Sequence, residues 1–142
     1  MRKHYIMVVD DDSFTLDLYR MIIEWTTLKD YFRTEENALK SLDILDELNK
    51  KEPDKFPEYI LLDLSMPEIH GFEFIERFQK KFPDRKGKTH FIITTSSVIC
   101  ADEEKAGEYQ CVVDYLVKPI PRDYIGRLIT EGYHAKLIRE SY

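Results

Sequence analysis

Three apolar runs, far apart in this chain, each stop at a charged side chain, and that pattern limits the folds open to it. Ile6-Met7-Val8-Val9 runs into Asp10-Asp11-Asp12, Tyr59-Ile60-Leu61-Leu62 runs into Asp63, and Val112 to Val117 runs into Lys118-Pro119. A short β-branched run ending at a charge reads as a strand buried on both faces that stops at its carboxyl edge. Open α/β sheets bind their ligands at that edge. Two strands delivering carboxylates and a third delivering an ammonium describe a site for Mg²⁺ and a phosphoryl group.

Strand and helix patterns alternate along the whole chain. After the first strand, Phe14, Leu18, Met21, Ile22 and Trp25 recur at helical spacing, with Asp12 or Ser13 placed to cap the helix. This stripe, like the others, reads as core. A weak strand is expected near Tyr31-Phe32-Arg33, and Ala38, Leu42, Leu45 and Leu48 mark a second helix closed by Pro53 and Pro57. The strand Tyr59 to Leu62 follows, then a turn with Met66-Pro67 and Gly71, then a helix with Ile75, Phe78 and Phe82 inward that ends before Pro83. His90 to Thr95 reads as the fourth strand, about Ala101 to Tyr109 as a polar helix, and Val112 to Val117 as the fifth strand. A last helix after Pro121 carries Ile125, Leu128 and Ile129 on one face. Five βα units with short connections imply a doubly wound parallel sheet with five helices, in the flavodoxin-like order 2-1-3-4-5. In that order strands 1 and 3 are neighbours, so Asp10, Asp11 and Asp63 converge.

Composition fits one domain over residues 1–142. With 43% hydrophobic and 34% charged residues the chain is an ordinary globular one. A net charge of −6 with no basic stripe argues against nucleic acid as a partner. Lys80-Lys81 and Arg85-Lys86 read as a solvated helix end. Four apolar residues after the basic start are too few for a signal peptide or a membrane span. Cys100 and Cys111 lack C-x-x-C spacing and suit a reducing compartment, so a cytoplasmic location away from membranes is expected.

Each candidate site residue also has an ordinary explanation. Asp10, Asp11 and Asp12 could be an acidic turn that caps a helix, a role that suits Asp12 best. Asp10 and Asp11 are instead oxygen donors suited to a hard cation, because Mg²⁺ takes a few carboxylates together with water and phosphate oxygens. Clustered carboxylates repel one another unless a cation or a proton compensates. Asp63 could be a turn residue, or a nucleophile that takes a phosphoryl group as an acyl phosphate. Lys118 could be a surface lysine, or a point charge for phosphoryl oxygens. Its position before Pro119 makes it extended and leaves the Lys-Pro bond open to the cis form. Thr94-Thr95-Ser96-Ser97 offers hydroxyls at a strand end, for capping or for the same oxygens.

Taken together, Val9-Asp10-Asp11, Leu61-Leu62-Asp63 with Met66-Pro67 and Gly71, the Thr95 region, and Tyr115-Leu116-Val117-Lys118-Pro119 resemble a receiver domain of the two-component response-regulator family, of the CheY-like single-domain type. The likeness runs from Tyr5 to about Arg139. It implies Asp63 as phosphoacceptor, Asp11 as direct Mg²⁺ ligand, Asp10 as a ligand acting largely through water, and the Ser65 backbone carbonyl as a further metal contact. It also implies Lys118 as the phosphoryl-binding lysine, Thr95 as the switch hydroxyl, with Thr94 and Ser96 as register alternatives, and Tyr115 as the aromatic switch residue. His70 stands where an acidic or polar residue is frequent, and is expected to affect loop surface only.

The implied function is transfer of a phosphoryl group to Asp63 from a phosphohistidine on a sensor histidine kinase or a histidine phosphotransfer protein. Slow self-catalysed hydrolysis follows, and the chain is a switch rather than an enzyme acting on other molecules. The signal is expected to leave through the face of helix 4, strand 5 and helix 5, where Tyr109 and Tyr124 are placed, to a protein effector. With no output domain in 142 residues, the receiver's own surface has to carry it. Two other readings are a scaffold receiver that takes no phosphate and a Mg²⁺-dependent phosphohydrolase. The latter generally needs an acid/base carboxylate two residues after the nucleophile, where Ser65 stands.

Overall fold

The computed structural model describes residues 2–96, 100–134 and 137. Its strands are β1 (Ile6–Val9), β2 (Phe32–Glu35), β3 (Tyr59–Asp63), β4 (His90–Thr95) and β5 (Val112–Val117). They form one parallel sheet in the order β2-β1-β3-β4-β5. The helices are α1 (Ser13–Glu24), α2 (Ala38–Lys51), α3 (Gly71–Lys81), α4 (Cys100–Ala106) and α5 (Tyr124–Glu131). The doubly wound architecture is the one expected. No helix among the described residues is long and apolar enough to cross a membrane.

Alternation along the strands divides the interior into two cores. Met7, Val9, Ile60, Leu62, Phe91 and Ile93 pack on one side with Leu42 and Leu45 of α2 and Phe74, Ile75 and Phe78 of α3. Ile6, Val8, Tyr59, Leu61, Ile92 and Leu116 pack on the other with Leu16, Tyr19 and Ile23 of α1 and Ile125, Leu128 and Ile129 of α5. The central strands are apolar at every position because helices cover both faces. This explains why the runs ending at Asp10 and Asp63 are continuous rather than alternating.

Several local expectations are corrected. A 3₁₀ turn over Lys29–Tyr31 displaces the start of β2 to Phe32, and α4 closes at Ala106 rather than Tyr109. Leu48 on α2 is only half-buried. Arg85 is not simply solvated: its guanidinium lies 4.2 Å from the centroid of the Phe56 ring and donates to Asn49 and to the Pro53 carbonyl. Tyr124 is fully buried in the α1/α5 core and takes no part in a surface. His70 does more than face the loop exterior, since its Nδ1 accepts the Phe72 N–H at 3.2 Å and caps α3. Ser97 lies outside the described residues.

The largest correction concerns α1. Asp12 is its N-cap, accepting the Phe14 N–H at 3.1 Å. The short turn from β1 through that cap fixes the rotation of the helix, which places Leu16, Tyr19 and Ile23 against the sheet. Of the stripe expected in the core, Ile22 is half-buried and the other four residues point the other way. Phe14 is 69% exposed, Leu18 44%, Met21 62% and Trp25 90%. This helix is apolar on two opposite faces, and only one of them is covered.

Truncation should separate the two faces. Leu16→Ala or Ile23→Ala is expected to cost about 2–5 kcal/mol, as for deletions in a packed core. Leu18→Ala and Trp25→Ala should stay within about 0.5 kcal/mol of the parent. Urea denaturation of the four variants measures this, and a large loss for Trp25→Ala would show that its face is covered after all.

Candidate functional site

The register of the sheet brings the charges together. Val9 pairs with Leu62, so Asp10 and Asp63, the next residues on neighbouring strands, stand side by side at the carboxyl edge. Asp63 in turn pairs with Thr94 on β4. At the end of β5 the Lys118 backbone N–H donates to the Thr95 carbonyl at 2.7 Å, which carries its side chain back over the edge. The Lys118-Pro119 bond is cis.

Asp10 is fully buried and held at both oxygens. Its Oδ1 accepts the Asp12 N–H at 3.0 Å and its Oδ2 accepts from Lys118 Nζ at 2.5 Å. Asp63 is also buried, with Oδ1 accepting the Ser65 N–H at 3.3 Å and Oδ2 3.6 Å from Lys118 Nζ. Asp11 is exposed at the mouth. One carboxylate oxygen from each of Asp10, Asp11 and Asp63 lies within 4.8 Å of the others. Asp12 turns away to its cap, where a hydrogen bond from the Thr15 hydroxyl at 2.9 Å holds its carboxyl below the usual range.

Burial pushes the Asp63 carboxyl up to about 6. The Lys118 ammonium pulls it down and the Asp10 carboxylate pushes it up again. Below the carboxylates lies Tyr19, whose phenol is driven well above its ordinary value by burial, and further by Asp10 and Asp63. Placing Phe14, Leu18, Met21, Ile22 and Trp25 in the core, the sequence reading passes over Tyr19. Its spacing from Leu16 and Ile23 is the signal that could have found it.

The loop after Asp63 is pinned by close contact. The Gly71 N–H donates to the Leu64 carbonyl at 2.9 Å. A Cβ at Gly71 would lie 2.8 Å from Leu64 Cδ2 and 2.9 Å from Leu64 Cα, so glycine is required there for proximity. This contact holds the segment through Ser65 and Met66 beside the carboxylate.

Thr94 and Thr95 are both buried but face opposite cores. Thr95 shares the side of Phe91 and Ile93 and lies diagonally across from Tyr115, which pairs with Ile93. Tyr115 is half-buried and packs against that same core. Thr94 lies on the side of Ile92, facing α1 and α5. Ser96 is exposed.

The donor set suits a hard divalent cation. Its ligands are all oxygen, two are buried, and one lysine leaves part of the carboxylate charge uncompensated. The same edge offers a nucleophile, Asp63, with an ammonium beside it for an anionic group.

Comparison with known proteins shows the family and the fold. A polar-differentiation response regulator, DivK, of Brucella anthropi is 30% identical over 115 residues, covering 81% of this chain and 84% of its own. A two-component response regulator from Cytophaga hutchinsonii superposes with a TM-score of 0.77 at 24% identity, over 93% of this chain and 98% of its own. A response regulator receiver protein from Dyadobacter fermentans is 28% identical with a TM-score of 0.67, over 86% and 94% of the two chains. The family model for the response regulator receiver domain matches residues 6–130, and this chain belongs to that family.

Proposed function

We propose that this receiver takes a phosphoryl group on Asp63 from a protein phosphohistidine and passes the signal to a protein partner. The observation that carries the reading is the convergence of Asp10, Asp11, Asp63 and Lys118 at one sheet edge. An Asp63 oxygen attacks phosphorus, the P–N bond to the donor imidazole breaks, and its electron pair stays on the ring nitrogen. The product is an acyl phosphate. Water later attacks the same phosphorus, releasing inorganic phosphate and restoring the carboxylate.

Asp10, Asp11 and Asp63, with the Ser65 carbonyl, would hold Mg²⁺. When bound, the cation neutralises charge on the phosphoryl oxygens. Lys118 contributes a second positive charge, drawn from its contact with Asp10 towards the incoming oxygens. Gly71 keeps the loop still. The chain acts only on its own phosphoryl group, which makes it a switch rather than a general catalyst. Ser65 in place of a second carboxylate leaves a phosphohydrolase without its acid/base group.

The added charge, about −1.5 to −2 for a phosphoryl group, favours a hydroxyl donor nearby. Thr95 is the donor assigned here, because it shares a face with Tyr115. Its movement would let Tyr115 turn further inward and reshape the surface of α4, β5 and α5 that the effector reads. Tyr109 lies at the border of that surface, its ring 5.6 Å from Phe72 and stacked on it.

The donor has its own surface. The bare stripe of Phe14, Leu18, Met21 and Trp25 starts two residues after Asp12, beside the mouth of the site. A donor protein resting on it would bring an imidazole over Asp63 and exclude water.

Three outcomes test these readings. With Mg²⁺ and acetyl phosphate, one alkali-labile phosphoryl group should appear, and Asp63→Asn should abolish it; intact labelling of that variant would overturn the assignment. Leu18→Asp should leave labelling by acetyl phosphate unchanged but slow transfer from a phosphorylated histidine protein by about tenfold or more. Equal rates for variant and parent from the protein donor would remove the stripe from the reaction.

The third outcome concerns pH. The folded-state value of Asp63 lies above its ordinary one, so the stability it contributes is present below about pH 4 and is lost as pH rises through about 6. In metal-free buffer, Asp63→Asn should therefore gain on the parent from nil near pH 4 to about 1–3 kcal/mol at pH 8. Urea titrations in EDTA across that range measure it. A gain that shrinks with rising pH would contradict the sign.

A further inference from the structure

Among the described residues, three helices have a side chain that caps the first turn, and one of the three caps is an imidazole. Asp12 caps α1, with its carboxyl held below the usual range. Asn37 caps α2, its Oδ1 accepting the Lys40 N–H at 2.7 Å. Both keep their acceptor as pH falls from about 8 to about 5. His70 caps α3, and its Nδ1 accepts the Phe72 N–H at 3.2 Å. Histidine is the side chain whose charge ordinarily changes within that interval.

An imidazole nitrogen accepts only while it carries no proton, so this bond requires the ring hydrogen to sit on Nε2. In the imidazolium both nitrogens are donors. An N–H would then face an N–H, and a first-turn N–H has no partner inside its own helix. The cation would also stand at the positive end of the helix dipole. Charged groups of both signs surround the position: Glu68 in the same loop, Glu73 in the first turn of α3, and Lys105 of α4, whose ammonium lies 5.1 Å from the centroid of the Phe72 ring. The Phe72 ring is 5.2 Å from the imidazole and stacks on the phenol ring of Tyr109 at 5.6 Å.

This cap is tied to the segment that follows Asp63. Gly71, the first residue of α3, donates its N–H to the Leu64 carbonyl at 2.9 Å, and a Cβ there would lie 3.1 Å from the Asp63 carbonyl oxygen. The helix start and the residue after Asp63 therefore touch backbone to backbone.

We propose that His70 makes the joint between β3 and α3 sensitive to pH. The neutral imidazole holds the first turn of α3 and the loop 64–71 in place, and protonation releases them. The device stands on the cap and not on the phosphoryl reading. Its consequence at the Ser65 carbonyl, a looser metal contact at low pH, rests on that reading.

Amide hydrogen exchange of the full chain tests it, expressed as protection factors so that the intrinsic pH dependence of exchange is removed. From about pH 8 to about pH 5 the protection of Phe72 and Gly71 should fall about fivefold, the size of one lost N-cap, along the titration curve of the His70 ring proton signals. His70→Asn keeps an acceptor that does not titrate and should hold protection level. His70→Ala should leave it low at both ends. Asp63→Asn should show the parent's fall, still on the imidazole curve, which separates the cap from titration of Asp63 and from phosphoryl chemistry. No fall in the parent, an equal fall in His70→Asn, or a fall that disappears in Asp63→Asn would overturn the proposal.

Discussion

The ion pair between Lys118 and Asp10 is the contact on which the site depends. Two carboxylates, Asp10 and Asp63, are buried at one sheet edge, and Asp10 has no exposed surface. An ionised carboxylate away from water is costly unless it is paired and hydrogen-bonded. Lys118 reaches both, at 2.5 and 3.6 Å, while the Asp12 and Ser65 amides each satisfy one further oxygen. The compensation is unequal. Asp10 has the close ammonium, and Asp63 is left with a carboxyl pushed up to about 6.

Sheet order turns sequence distance into proximity. Asp10 and Lys118 are 108 positions apart. They meet because β1 and β3 are adjacent at the point where the winding reverses, with β4 and β5 continuing outward from β3. The apolar runs were legible because a strand buried on both faces has nowhere to put a polar side chain until it leaves the sheet. The first charge after each run is therefore at the edge, and so the carboxylates and the lysine could be placed from sequence. Thr95 was harder, since four hydroxyls in a row carry no periodicity. Only strand alternation, seen in three dimensions, puts Thr95 and Tyr115 on one face.

Helix α1 shows what periodicity leaves open. Phe14, Leu18, Met21 and Trp25 form as good a helical stripe as Leu16, Tyr19 and Ile23, and spacing does not say which one meets the sheet. The rotation is set by the length of the turn after β1 and by the Asp12 cap, and these are properties of the assembled fold. Tyr124 misled for a related reason: it begins α5 beside a polar turn, yet its ring enters the core and its hydroxyl stands 3.4 Å from Asp114. Arg85 is the converse case, a charged residue whose stem and head pack across Phe56.

On the proposed reading, a site that takes a phosphoryl group from another protein cannot be closed in advance. Its nucleophile has to be buried enough to be desolvated and open enough to meet an imidazole held by another chain. Asp63, with 9% of its side chain exposed and the exposed Asp11 beside it, meets both conditions. On that reading the docked donor excludes water from the carboxylate. On the same proposal the donor rests on the uncovered face of α1, which begins at Phe14, two residues after Asp12. The proposed docking would offset the cost of exposing Phe14 and Trp25 in the free protein. On the proposed reading such a surface suits a transient partner better than a permanent one, since the donor has to leave before an effector reads the other face.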